Sequence, residues 1–171
     1  MFPGLRVDEY HTKANLHTMP VTIKRTDSED PDFLALVREL DADLARRDGD
    51  DHVFYAQLNK TDHLPTCVVA YDGDRPVGSG ALRPLDDETM EVKRMFVSPD
   101  VRGKGVASEV LKALETWAAE LGYLSLRLET GKRQPEAISL YTKAGFSIIP
   151  NFGKYWNVEN SVCFEKHLSV D

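Results

Sequence analysis

Val97-Ser98-Pro99-Asp100-Val101-Arg102-Gly103-Lys104-Gly105-Val106-Ala107 ends a strand, tightens through a loop and opens a helix. Small residues at such a turn let the backbone come close to a ligand, and the first N–H groups of a helix have no partner within it. Together with the helix dipole they make an anion site, best suited to a phosphate or pyrophosphate. Arg102 and Lys104 add positive charge at the same place. A second reading stands beside this one, in which the glycines only shape a strand-to-helix turn. Two other phosphate motifs are excluded. The chain has no G-x-x-x-x-G-K-[ST] run, and Gly103-x-Gly105-x-x-Ser108 lacks the third glycine of a dinucleotide fingerprint.

The stretches on either side place this turn in a fold. Upstream, Thr66–Tyr71, Pro76–Arg83 and Thr89–Val97 read as three strands of an antiparallel meander, joined by Asp72-Gly73-Asp74-Arg75 and Asp86-Asp87-Glu88. Before them, Val21–Arg25 alternates and is β-branched, as a strand requires. Asp30 can cap a helix that Pro31 begins, with Phe33, Leu36, Val37, Leu40 and Leu44 at helical spacing. Arg46 and Arg47 suit its negative end, and Gly49 can stop it. Residues 48–65 are poorly periodic; a short helix or a loop holding Phe54, Tyr55 and Leu58 fits them equally.

Downstream, Lys104–Leu121 carries the stripe Val106, Val110, Leu111, Leu114, Trp117, Ala118, Leu121, and Gly122 ends it. Leu124–Glu129 alternates as a strand. A helix starts at Pro135 and stops at Gly145. Phe146–Ile149 and Ser161–His167 are two last strands around a loop rich in Pro, Asn, Gly and aromatics. The order β-α-β-β-β-α-β-α-β-β predicts an α/β fold, a mixed sheet with helices on its faces.

Composition narrows the function classes. The chain has 171 residues, enough for one ordinary domain that needs no disulfide or metal staple. Lys plus Arg is 21 and Asp plus Glu is 28, a net charge of −7. An acidic chain repels phosphate backbones, so no nucleic-acid partner is expected, whereas a basic peptide would be attracted. The longest apolar run is Cys67–Tyr71, far short of a membrane span, so no membrane partner is expected. Met1–Pro20 lacks the apolar core of a secretory signal. Cys67 and Cys163 each sit in an apolar stretch and read as buried free thiols of a cytoplasmic protein. His11, His17, His52, His63 and His167 lack ligand spacing, so no metal is expected, and Asp48–Asp51 lacks the remaining ligands of a calcium loop.

Arg102-Gly103-Lys104-Gly105-Val106-Ala107 resembles the R/Q-x-x-G-x-G/A signature of the GNAT superfamily of N-acyltransferases. Glu91-Val92-Lys93-Arg94-Met95-Phe96-Val97 looks like that family's fourth strand, and Ala137–Phe146 like its A-x-x-L-Y-x-x-x-G-F segment. Each motif is weak alone; three in order, over about residues 21–168, are specific. Further runs, among them Asn151-Phe152-Gly153 with Tyr155, are similar to a bacterial small-molecule subgroup sometimes labelled indole-acetate acetyltransferases. The resemblance implies a mostly antiparallel sheet of six to seven strands flanked by about four helices. It divides the chain into an extension, residues 1–20, and one N-acetyltransferase domain, residues 21–171.

The resemblance also implies a reaction: transfer of an acetyl group from acetyl-CoA, as cosubstrate, to a primary amine of a small molecule or peptide by direct attack in a ternary complex. A catalytically silent acyl-CoA-binding domain is the alternative. The pyrophosphate would sit on Arg102, Gly103, Lys104, Gly105, Val106 and Ala107. The pantetheine arm would pair with backbone at Met95, Phe96 and Val97, where the fourth and fifth strands splay. The family often has Asn where this chain has Gln134, which keeps the amide on a longer arm. Lys132 and Arg133 would reach the outer phosphate or simply belong to a surface loop.

Two side chains carry the expected chemistry. A protonated alkylamine has a pKa near 10, so about one molecule in a thousand is nucleophilic at pH 7. Glu91, on the strand flanking the thioester, can take the proton directly or through water; its other reading is a partner of Lys93 or Arg94 on a solvated strand. Tyr141 matches the family's tyrosine that faces the CoA sulfur and would protonate the departing thiolate; its other reading is membership of the apolar stripe with Ile138 and Ala144. Phe54, Tyr55, Asn59, Phe152, Tyr155, Trp156 and Asn157 are candidates to line the acceptor site. The sequence leaves the acceptor, the acyl chain and a homodimer open.

Overall fold

The computed structural model describes residues 18–49 and 63–169. Seven strands form one sheet in the order β1-β2-β3-β4-β5-β7-β6. They are β1 (Thr22–Thr26), β2 (Thr66–Asp72), β3 (Arg75–Pro84), β4 (Thr89–Val97), β5 (Ser125–Gly131), β6 (Ser147–Ile149) and β7 (Ser161–His167). Only β4 and β5 pair in parallel; every other neighbouring pair is antiparallel. Three α-helices occur among the described residues, where about four were expected: α1 (Pro31–Asp48), α2 (Val106–Glu120) and α3 (Pro135–Lys143). None is long and apolar enough to cross a membrane. Phe54, Tyr55, Asn59, Asp50, Asp51, His11, His17, His52 and residues 1–17 of the extension lie outside the described residues.

Alternation along the strands feeds two cores. On β2, Val68 and Ala70 face one way and pack with α2 (Val110, Leu111, Leu114) and with Tyr141, Phe146 and Phe164. Cys67 and Val69 face the other way and pack with α1 through Phe33, Leu36 and Leu40. α1 starts as its sequence dictates: the Asp30 carboxylate accepts the N–H groups of Asp32 and Phe33, at 2.8 and 3.2 Å. Gly78 and Gly80 on β3 let α2 lie close. A Cβ on Gly80 would stand 2.8 Å from Leu114 Cδ1 and 2.9 Å from Val110 Cγ1.

Two features of β4 position the site. Its pairing with β3 steps from Ala81↔Lys93 to Ser79↔Phe96, so β4 carries one extra residue there. Arg94 adopts φ 57° in this bulge, and the Ser79 hydroxyl donates to its carbonyl at 3.0 Å. On the other edge, β4 pairs with β5 only at Thr89↔Ser125, Met90↔Leu126 and Glu91↔Arg127. Beyond Glu91 the two strands part, and the sheet opens between Val92–Val97 and Leu128–Gly131.

Candidate functional site

The opening leads first to the glycine turn. Gly103 has φ 77° and Gly105 φ 84°, and Gly105 caps α2 without any side-chain hydrogen bond. A Cβ on Gly103 would meet nothing within 4 Å. Left-handed backbone favours glycine, and here it turns the start of α2 toward a cavity of about 440 Å³. The walls of that cavity include Met95, Phe96, Val97, Arg102, Gly103, Gly105, Val106, Ala107, Gln134 and Tyr141. Of the residues expected at the pyrophosphate and the pantetheine arm, Lys104 is not on the wall. Its carbonyl instead accepts the Met19 N–H at 2.8 Å, which ties the chain before β1 to the turn. Lys132 and Arg133 line neither this cavity nor its neighbour.

Arg102 is fastened in place. Its Nε donates to the Val97 carbonyl at 2.9 Å, its guanidinium lies over the Phe96 ring, and its NH2 is 3.4 Å from Asp43 on α1. Asp43 also meets Arg47, which pairs with Glu136 on α3. All four charged side chains border the cavity and join the turn, α1 and α3 across it. Ser108 and these acidic partners were not anticipated. A motif read along one segment says nothing of what a distant helix brings to its edge.

A second cavity, of about 120 Å³, adjoins the first. The two share Leu40, Met95, Gln134, Ala137 and Tyr141. The smaller one is also lined by Lys93, Arg94, Glu129, Tyr155 and Asn160. Tyr141 is 6% exposed. Its ring packs edge-on against Phe146 and tilted against Phe164, both with centroids at 5.9 Å. Burial raises the pKa of its hydroxyl above the usual tyrosine value, and the Glu129 charge adds to this. The phenol therefore stays protonated and able to donate. Tyr141 belongs to the apolar cluster and also walls both cavities.

Glu91 departs from the solvated-strand reading. It is 2% exposed and lines neither cavity. Its Oε2 accepts the Tyr155 hydroxyl at 2.8 Å, and its Oε1 lies 3.6 Å from Lys93 Nζ. Lys93 Nζ in turn donates to the Tyr155 oxygen at 3.3 Å. Burial pulls the Lys93 amine down from 10.5 to about 8; Glu91 resists the fall, and the nearby positive charges of Lys154 and Arg83 add to it. Among the acceptor-site candidates of the last loop, Tyr155 lines the smaller of these two cavities and the others line neither. Phe152 packs edge-on against it at 5.4 Å, and Trp156 is 65% exposed. Cys163 and Cys67 are fully buried free thiols, and burial pushes them up to about 11 and about 12, where a thiol is inert.

Residues 30–146 match the model of the acetyltransferase (GNAT) family. The chain is 36% identical over 157 residues to a protein named IAA acetyltransferase from Azospirillum brasilense, covering 86% of this chain and 98% of that one. A solved structure from Klebsiella pneumoniae, assigned as an acyl-CoA N-acyltransferase, superposes with a TM-score of 0.73 at 30% identity, covering 87% and 98% of the two chains. A GNAT acetyltransferase from Elizabethkingia anophelis, solved with acetyl-CoA bound, shares the fold with a TM-score of 0.62 at 20% identity over 86% and 98% of the chains.

Proposed function

The chain belongs to the GNAT acetyltransferase family, and from that premise we propose that it moves an acetyl group from acetyl-CoA to a primary amine of a small molecule or peptide. The acetyltransferase domain in this reading is residues 21–171. One observation carries the proposal. The cavity at the glycine turn and the cavity lined by buried ionisable groups share a wall that includes Tyr141, so a donor in one meets an acceptor in the other.

Each residue then has a task. The turn from Arg102 to Ala107 and the first turn of α2 hold the pyrophosphate: the helix offers its N–H groups and dipole, and no side chain competes for them. The chemistry of the phosphates fits this cradle, since Gly103 leaves open the space a Cβ would take. The main chain of Met95 to Val97, which has no β5 partner, pairs with the pantetheine arm, and the Gln134 amide borders the same path. The Val97 carbonyl is engaged by Arg102, so pairing falls on the other groups of that segment. Tyr141 donates its proton to the sulfur as the C–S bond breaks, because a thiolate of pKa about 8.5 is a better leaving group when a donor meets it. Glu91, buried behind the smaller cavity, bears on the acceptor's proton through the side chains bonded to it or beside it, Tyr155 and Lys93.

Thiol release from acetyl-CoA tests this. We expect release with primary amines, matched by amide product. Release with alcohols or thiols but not with amines would overturn the choice of acceptor.

A further inference from the structure

Glu91, the expected base, cannot touch an acceptor: it is buried and walls neither cavity. Two side chains stand between it and the smaller cavity, and both are bonded to it or beside it. One is the Tyr155 hydroxyl, whose single proton is committed to Glu91 Oε2. The other is the Lys93 amine, 3.6 Å from Glu91 Oε1, with a side chain 4% exposed. Lys93 lies one residue before the bulge at Arg94 and two before Met95, where the two cavities meet.

We propose that Lys93 is the group that takes the acceptor's proton, with Glu91 and Tyr155 holding its amine at the cavity wall. This rests on the acyl-transfer reading above. The uncharged Lys93 Nζ accepts one proton from the ammonium and becomes an ammonium itself, with Glu91 as its counter-charge. The freed amine attacks the thioester carbonyl carbon; the N–C bond forms and the C–S bond breaks. Tyr141 protonates the departing thiolate, and the second proton of the amine replaces the one Tyr141 gave. Lys93 releases its proton to solvent as the products leave.

Burial suits Lys93 to this. An ordinary lysine is charged at neutral pH, whereas an amine titrating near 8 is partly free there and close to the pH at which a base is most effective. The charged groups around it are Glu91 on β4, Arg83 on β3 and Lys154 beside Tyr155, with Arg94 and Glu129 on the same cavity wall. The Glu91 charge raises the lysine's pKa, so its removal should move the titration of Lys93 to lower pH.

The test uses the full chain, with benzylamine, tryptamine, spermidine and glycinamide as probe acceptors. The lysine ε-carbon resonance absent from Lys93→Met should titrate near pH 8 in the parent and lower in Glu91→Gln. Lys93→Met should lose roughly 10²-fold or more in kcat/KM at pH 7.5, with its affinity for CoA unchanged. Its rate should then follow only the free fraction of the acceptor, while Glu91→Gln keeps an enzyme-derived limb shifted to lower pH. Because Lys93→Met leaves a carboxylate buried without its counter-charge, the double variant E91Q/K93M supplies a neutral site that should fold and match its loss. Lys93 titrating near 10.5, or either Lys93 variant keeping the parent's pH profile, would overturn the proposal. A parent that binds CoA but acetylates no amine, with Lys93 still titrating near 8, would instead overturn the acyl-transfer reading, and this role with it.

Discussion

The glycine turn and the buried Glu91–Lys93–Tyr155 group border two cavities that share a wall, yet they are built in opposite ways. In the proposed function the turn is one short segment that binds through its backbone, so its chemistry is written in consecutive residues. The buried group joins β4 to a loop more than sixty residues later and is closed by Leu40 from α1. Its chemistry depends on which side chains burial brings together and on how far burial shifts an amine. In this proposal phosphate binding is local and largely backbone-determined, whereas proton handling belongs to the tertiary fold. The two regions should therefore fail separately.

The largest expected effect tests that separation from the proton-handling side. Lys93→Met should slow transfer by roughly 10²-fold or more at neutral pH and leave CoA affinity intact. The loss should shrink as pH rises and free amine becomes abundant. A pH–rate profile unchanged from the parent would reduce Lys93 to a structural partner of Glu91. Tyr141 belongs to both regions, so its change should touch chemistry without touching binding. Tyr141→Phe keeps the ring packed on Phe146 and Phe164 and removes the hydroxyl. kcat should fall roughly tenfold or more with CoA affinity nearly unchanged, as steady-state kinetics and calorimetry would show.

Gly131→Val sharpens the comparison by steric means. A Cβ at Gly131 would lie 3.1 Å from Asn160 Nδ2 and 3.6 Å from Gln134 Nε2, on the wall of the smaller cavity. The added methyls should raise the acceptor's KM by about tenfold, the order of a one-to-two-methylene misfit in a pocket. CoA binding should stay as it is. Loss of both together would mean that the two cavities are not separable.

The smallest effect on activity should come from a residue bordering neither cavity. Asp30 caps α1 and pairs with Lys24 at 2.8 Å. Desolvation opposes ionisation of its carboxyl, but hydrogen bonds from Lys24, from the backbone of Phe33 and Asp32 and from Thr26 win, taking its pKa from 3.8 down to about 2. A folded pKa below the unfolded one stabilises the fold at pH values above 3.8, and this contribution is lost as pH falls toward 2. Asp30→Ala should thus cost about 1 kcal/mol at pH 7, less in acid, and leave kcat/KM at permissive temperature unchanged. Thermal unfolding across pH would check the sign.

Most of the fold was legible because its punctuation is local. Asp30 with Pro31, Gly49, the turn at Gly73 and the glycine turn each mark an element end with a residue suited to that backbone. Strands β4 and β7 run over the same residues, Thr89–Val97 and Ser161–His167, that the sequence marks as strands. The parting of β4 from β5 was implied by family resemblance alone, since nothing in either strand's own pattern ends their pairing at Glu91. The acceptor side was only half legible. Glu91 and Tyr155 were each singled out, but not as partners, and Lys93 was no more than a neighbour in an ion pair. Residue type cannot reveal a depressed lysine pKa, because the cause is the removal of water by distant segments. Of the aromatics in the last loop, Tyr155 turns inward to Glu91 while Trp156, the next residue, turns outward, and composition does not distinguish the two.

Calorimetric titration of CoA into the parent, Ser108→Asp and Glu91→Gln decides whether donor binding and proton handling are separate regions meeting at Tyr141. Ser108 is exposed in the first turn of α2, on the wall of the larger cavity. A helix start tolerates Asp, which there stabilises by about 0.3–1 kcal/mol, so loss of binding would not reflect unfolding. We predict that Ser108→Asp weakens CoA binding by on the order of 100-fold, through charge placed on the anion site, while Glu91→Gln binds as the parent does. Full-strength binding by Ser108→Asp would place the CoA site elsewhere, and weakened binding by Glu91→Gln would show that the two regions are one.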